Sequence, residues 1–238
     1  MLNATSPRHP PPPSAPPRHA VPAAPPRGAL LAGALLLLTA VVLGLILRGD
    51  GPPFFQGFDD RWMEGMNGSR QDAATDLAIV FDRLGGPLGQ IITLAFAGCL
   101  CVYGRWRSAV FVFTSAAVTN MLVVLPLKSL ADRPRPSDPW VLVNDGSFPS
   151  GQVSSAATLV VVVAVVVFPP RARLWWWLFG IVFVAAMMWS RTWLHAQWPS
   201  DTVAGALAGA GTGLLLWRAF APLLDREAVR AAAGRLWD

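Results

Sequence analysis

Residues 147–168 read SFPSGQVSSAATLVVVVAVVVF, a polar turn that leads directly into a largely apolar run. Pro149 favours a helix start, Gly151 lets a ligand approach the backbone closely, and free N–H groups at a helix N-terminus attract anions. The apolar run is long enough to cross most of the hydrocarbon core of a bilayer. The stretch therefore predicts a membrane helix that opens on an anion-binding turn. Gln152, which carries no charge and no useful proton, stands at the centre of that turn.

Comparable apolar runs recur along the chain, which predicts several membrane spans. The 238 residues are 53% hydrophobic and 14% charged, with a mean hydropathy of +0.45, a composition too apolar for a soluble domain of this length. We expect an all-α polytopic membrane protein, a six-helix bundle over residues 29–220. Its predicted spans are 29–47, 87–103, 108–127, 153–168, 174–190 and 201–220.

The distribution of charge predicts the orientation in the membrane. Basic residues without acids precede the first span, and short basic links follow the second and fourth spans, whereas the link after the first span is rich in Asp and Glu. Because Arg and Lys favour the cytoplasmic side, both termini should be cytoplasmic in a multi-pass protein of the cell membrane. The net charge of +5 is then explained by topology, and no nucleic-acid partner is expected.

Two further segments flank or interrupt the bundle. Residues 1–28 are crowded with proline, which predicts a disordered cytoplasmic tail, and residues 221–238 form a second, short tail. The segment 54–84 should form amphipathic helices at the outer interface, which either cover the bundle or gate the access of lipid. Its apolar residues at helical spacing are Phe54, Phe58, Trp62 and Met66, followed by Leu77, Val80, Phe81 and Leu84.

Small residues on the last span predict close helix packing. Gly205, Gly209 and Gly213 are four residues apart, a spacing that lets membrane helices approach closely. Packing within the bundle is the first expectation, and a homodimer is the alternative. The only cysteines, Cys99 and Cys101, point to different faces of a helix, so neither a disulfide nor a metal site is expected from them.

Polar residues that membrane packing does not explain meet at the outer end of this topology. They are Lys128, Asp132, Arg133 and Arg135 after the third span, Ser150, Gly151 and Gln152 before the fourth, Ser190 and Arg191 at the end of the fifth, and Asp201 at the start of the sixth. Taken singly, each has an ordinary explanation, since cations snorkel at helix ends and an acid suits a helix N-terminus. Together they predict a cationic, donor-rich pocket suited to phosphate oxygens.

The order and spacing of these residues resemble a known signature. Lys128-x6-Arg135-Pro136, then Pro149-Ser150-Gly151, then Ser190-Arg191 with Asp201 ten residues after the arginine, are similar to the three motifs of the PAP2 (type 2 phosphatidic acid phosphatase) superfamily. The resemblance implies an outward-facing, periplasmic site that hydrolyses lipid phosphates or pyrophosphates without a metal or cofactor. It further implies that Lys128, Arg135, Ser150, Gly151 and Arg191 bind phosphate.

The sequence departs from this signature at both of its histidines. The resemblance implies a general-acid histidine at position 152 and a nucleophilic histidine at position 197, with Asp201 orienting the nucleophile, but both positions are glutamine. An amide nitrogen is delocalised and cannot attack phosphorus as an imidazole does. Gln152 has no proton that titrates near neutral pH, which removes acid assistance worth roughly 10²- to 10⁴-fold in rate.

The sequence therefore predicts a scaffold that binds a lipid phosphate or a polyprenyl pyrophosphate among membrane lipids but does not hydrolyse it. The alternative is a slow hydrolase. It would use His195, or a water molecule oriented by Gln197 with Asp201 as base. If the fifth span stayed helical, His195 would point away from Gln197, since two residues turn a helix by roughly 200°.

Overall fold

The computed structural model describes residue 25 and residues 28–49, 51–68, 71–143 and 146–234, with side chains as far as residue 230. Within these ranges all regular structure is helical. The disorder predicted for residues 1–28 falls almost wholly outside the described residues. The helices are α1 (Ala29–Leu47), α2 (Gln56–Gly68), α3 (Asp72–Gly85), α4 (Pro87–Val102), α5 (Trp106–Ala117), a π-helical segment (Val118–Val124), α6 (Leu125–Ala131), α7 (Gly151–Val166), α8 (Arg173–Trp193) and α9 (Pro199–Gly234).

Most of the predicted spans coincide with long apolar helices. By length and composition, four stretches in the described part could each cross a membrane: Ala29–Leu47, Trp106–Ala131, Arg173–Trp193 and Pro199–Arg230. The pair α3 and α4, bent by 45°, would make a fifth span. The helix predicted from the opening stretch is α7, which is apolar but has 16 residues. A helix thus lies at each of the six predicted spans, but only four or five of these helical stretches are long and apolar enough to meet the criteria for crossing a membrane.

The centre of the bundle is α9, which packs most extensively against α1 and α7. The glycines predicted to allow close approach lie on this α7 contact. A Cβ at Gly205 would meet the Ser150 carbonyl oxygen at 2.6 Å, and one at Gly213 would meet the Val161 Cβ at 2.9 Å. The glycine stripe therefore serves packing within the chain, and it brings the α7 N-terminus against the start of α9.

A π-helical segment interrupts the helix that carries Lys128. Pro126 lies two residues after its last residue, Val124, and proline has no N–H to donate and crowds the carbonyl four residues earlier. A wider turn before proline relieves that conflict. The helix resumes as α6 and runs to Ala131, so Lys128 lies in its last turn rather than in a loop after the span.

The segment 54–84 forms the two helices α2 and α3. A helix that covers a bundle buries its apolar side chains and exposes its charged ones, whereas α2 exposes aromatic residues and buries an acid. Phe58 and Trp62 on α2 are 54% and 40% exposed, and Phe54 just before the helix is 85% exposed, whereas Asp59 is fully buried. The acid turns inward because it has partners there, and the aromatic residues turn outward. Of the two roles considered for this segment, a simple apolar cover fits α2 poorly.

Candidate phosphate site

Two of the expected phosphate ligands share one carbonyl oxygen. Lys128 Nζ donates to the Gly146 carbonyl at 2.7 Å, and Arg135 Nη2 donates to the same oxygen at 2.9 Å. Arg135 Nη1 also donates to the Ala196 carbonyl at 2.5 Å. The end of α6, the loop before α7 and the turn after α8 are therefore tied together by cationic donors.

A second group of donors converges on the side chain of Gln197. Its Oε1 accepts from Ser150 Oγ at 2.5 Å and from Arg191 Nε at 3.2 Å. Its Nε2 donates to the Ser147 carbonyl at 2.9 Å. Gln197 is 3% exposed, so the amide is held rigidly between two expected phosphate ligands at the nucleophile position.

The predicted helix start at the opening stretch is confirmed. The first residue of α7 is Gly151, and Ser150 is its N-cap, accepting from the Val153 N–H at 3.4 Å. The N–H groups of the first turn, including those of Gly151 and Gln152, have no carbonyl partner inside the helix. The Ser150 N–H itself donates to the Asp201 carbonyl at 3.0 Å, which fixes the turn to the start of α9.

The carboxylate of Asp201 accepts hydrogen bonds from residues other than Gln197, which stands at the nucleophile position. Its Oδ1 accepts from Arg133 Nη1 at 2.6 Å, and its Oδ2 accepts from Ser147 Oγ and from the Trp198 N–H. The amide of Gln197 is oriented instead by the Ser147 carbonyl. In this chain the carboxylate therefore holds the walls of the pocket together.

Arg133 joins this carboxylate to the outer helix α2. Its Nη2 donates to Asp59 Oδ2 at 2.7 Å, and Asp59 also accepts from the Ser200 N–H at 3.0 Å and hydroxyl at 2.5 Å. The guanidinium is flanked by the rings of Phe55 and Trp198. Two buried carboxylates thus pair with one buried cation. Sequence reasoning assigned no part in the site to Asp59.

Another acid from the outer segment reaches the pocket directly. Asp82 on α3 accepts from Arg191 Nη1, and the same oxygen accepts from Gln152 Nε2 at 3.2 Å. The other Gln152 side-chain atom, Oε1, is buried without a partner. Asp82 therefore contacts both an expected phosphate ligand and the general-acid position, and it too was counted in the sequence only as a topological charge.

His195 lies outside this set of contacts. The helix α8 ends at Trp193, two residues before it, and His195 has a φ of 54°, so the assumption of a continuing helix does not apply. Its ring stacks on Trp140 with centroids 5.7 Å apart, and its Nδ1 is 3.4 Å from the Ser137 carbonyl. The histidine therefore packs against the loop that precedes α7.

A cavity of about 310 Å³ adjoins the site inside the bundle. Gln152 and Gly85 lie on its wall, and apolar side chains from α4, α5, α7 and α8 make up most of the rest. In the part of the chain that the structure describes, no group of three or more His, Cys, Asp or Glu side chains could hold a metal ion.

A comparison with protein families identifies the superfamily of the chain. The profile of the PAP2 superfamily matches residues 105–224, about half of the chain, including every motif residue described above. The chain belongs to the PAP2 superfamily. It is thereby related to the lipid phosphate phosphatases of that superfamily. No curated protein sequence matches it.

A solved structure shares the fold. It is described as the "crystal structure of the first transmembrane PAP2 type phosphatidylglycerolphosphate phosphatase from Bacillus subtilis". The TM-score is 0.66 at 18% sequence identity, covering 79% of this chain and 94% of that chain. The predicted all-α polytopic membrane fold is confirmed by this likeness.

Proposed function

We propose that this PAP2 superfamily member binds lipid phosphate or pyrophosphate head groups and does not hydrolyse them. The observation that carries the proposal is the convergence of Ser150 and Arg191 on the buried amide of Gln197, at the position of the nucleophile. Lys128 and Arg135 extend the same cationic pocket. The chain has the residues expected to bind phosphate, but it lacks the histidine that would attack phosphorus.

The absence of hydrolysis follows from the chemistry of the two glutamines. A phosphohistidine intermediate needs an imidazole lone pair, which an amide lacks. Losing a covalent nucleophile lowers kcat on the order of 10⁶-fold in other hydrolases. Gln152 supplies no proton to the leaving alkoxide, and its Nε2 hydrogen is engaged by Asp82. Both steps of a PAP2-type reaction therefore lack their reactive group.

The contacts of the remaining candidates give no support to a slow hydrolase. The ring of His195 stacks on Trp140, and its Nδ1 faces the Ser137 carbonyl, so its contacts are with other residues than those around Gln197. Asp201, which would have to activate water beside Gln197, is buried and already accepts from Arg133, Ser147 and the Trp198 N–H.

We place the site on the outer, periplasmic side of the cell membrane, with both termini in the cytoplasm. The support is the distribution of Arg and Lys in the short links. The exposed aromatic residues of α2 suit an interfacial position at the same end, next to the pocket that Asp59 helps to close. A lipid head group would then reach Arg191 from the outer leaflet.

Binding is tested by calorimetric titration of the purified full chain in detergent with short-chain phosphatidic acid. Arg191→Ala should weaken binding roughly 10- to 100-fold, because a hydrogen bond to a charged group contributes about 1.5–3 kcal/mol. Arg83→Ala, at an exposed arginine on α3, is the matched control and should leave the affinity unchanged. Arg191→Lys keeps the positive charge but loses the two-pronged guanidinium donor, so its affinity should fall between those of Arg191→Ala and Arg83→Ala. Equal affinity in all four proteins would refute the proposed site.

A further inference from the structure

The carboxylate of Asp82 lies where an anionic ligand of this pocket would have to bind. Arg191 uses its Nε for Gln197 and its Nη1 for Asp82. The Arg191 side chain is 5% exposed, so it has little unused surface to offer a further acceptor. Gln152, at the general-acid position, donates to the same Asp82 oxygen.

Carboxylate and phosphate oxygens are equivalent acceptors for a guanidinium. Both form short, charge-assisted bonds with Arg, commonly through two N–H groups at once. A phosphate oxygen that takes Nη1 of Arg191 must therefore replace Asp82. Two anions on one cation would also repel each other strongly, because like charges interact strongly in a buried site.

The backbone of α3 is not free to carry Asp82 away. Ser190 Oγ donates to the Ala78 carbonyl at 2.7 Å, and Trp193 Nε1 donates to Thr75 Oγ1 at 3.1 Å. Both donors belong to α8, the helix that also carries Arg191. The Asp82 side chain is 22% exposed, so a change of rotamer can carry it away from Arg191 while α3 stays in place.

We propose that Asp82 is an internal anion that occupies the phosphate position on Arg191 and sets the affinity of the site, and that a bound phosphate displaces it. The inference rests on the proposed phosphate-binding function. Because Asp82 leaves before the phosphate binds, it lowers the affinity for every phosphate ligand by the same factor. A carboxylate that stayed in the pocket would instead repel the more highly charged ligand more strongly.

The test is calorimetric titration of the full chain in detergent with inorganic phosphate and with inorganic pyrophosphate. Asp82→Asn should tighten binding of both by about tenfold, equivalent to about 1.4 kcal/mol, and by the same factor. Asp82→Ala should do the same, which covers the case in which the asparagine variant folds poorly. Asp82→Glu keeps the competing negative charge, so its affinity for both ligands should stay close to that of the unmodified protein. Asp76→Asn, at an exposed acid on the same helix, is the matched control.

The outcomes separate the two proposals. If the unmodified protein binds, Arg191→Ala loses binding and neither neutral Asp82 variant tightens it, the internal anion is refuted and the phosphate site stands. A clearly larger gain for pyrophosphate than for phosphate refutes displacement. If no protein of the series binds either ligand, the phosphate site itself fails.

Discussion

The buried arginine between α2 and α9 makes the sharpest stability prediction. Asp59 is fully buried and accepts one bond from Arg133 and two from Ser200. Asp59→Ala removes both acceptor oxygens and the three bonds they take. The buried Arg133 then keeps Asp201 as its carboxylate partner, beside the Ser200 hydroxyl and the Gln56 side-chain oxygen. Breaking a buried ion pair by removing one partner costs about 3–5 kcal/mol. For a protein of this size that corresponds to a fall in Tm on the order of 10 °C.

The assay is thermal unfolding of the purified protein in one detergent, with the neighbouring Asp60→Ala as control. Asp60 is exposed and accepts a bond from Gln56 on the same helix, so its loss should lower Tm by little. Asp59→Asn keeps one acceptor oxygen, so its Tm should fall between those of Asp59→Ala and Asp60→Ala. Equal Tm values for Asp59→Ala and Asp60→Ala would refute the claim that α2 is held to the site through Arg133.

Two further predictions concern the packing and capping of the bundle. Gly209→Ala should lower the unfolding free energy by about 1–3 kcal/mol, because a Cβ there would collide with the backbone of Ser154. Gly98→Ala, which has open space around it, should change Tm little, and an equal loss at both glycines would contradict the packing scheme. Glu227→Ala should destabilise by about 1–3 kcal/mol, since its carboxylate accepts from two N–H groups at the start of α5. Thermal unfolding checks this as well, and an unchanged Tm would show that this cap is dispensable.

The parts of the fold that depend on hydropathy could be predicted from the sequence. Apolar runs placed a helix at each expected span, and the turn chemistry around Ser150 and Gly151 fixed the start of α7. Helix ends were less accurate because they depend on partners elsewhere. The helix with Lys128 continues to Ala131 through a π-helical segment, and α9 continues to Gly234.

The two acids that bind the arginines of the site, Asp59 and Asp82, could not be predicted in the same way. Asp59 and Asp82 resemble the other acids of the outer segment in sequence, and only tertiary packing decides which of them meet a buried arginine. In the structure Asp59 shares a helix face with the buried Met63, and Asp82 shares one with the buried Ala78, four residues away in each case. Nothing in the sequence marks those faces as the inward ones. The aromatic stripe at Phe54, Phe58 and Trp62 was more conspicuous and pointed the other way.

The structure brings the motif residues close together, but the contacts of one of them differ from those that the resemblance implies. Asp201 was expected to orient the group at position 197, as the resemblance implies. In the structure it binds Arg133 and Ser147, and the Gln197 amide has its own partner in the Ser147 carbonyl. A spacing identifies which residues meet, and the side-chain chemistry at each position decides which of them bond.

The most direct test of the central claim is phosphate release from phosphatidic acid and from a polyprenyl pyrophosphate by the unmodified chain, measured where calorimetry shows the site to be saturated. The account predicts saturable binding with no release above the rate without protein, and release by Gln152→His/Gln197→His in the same assay. Turnover of the unmodified chain at about 1 s⁻¹ or faster, a rate ordinary for enzymes, would contradict it.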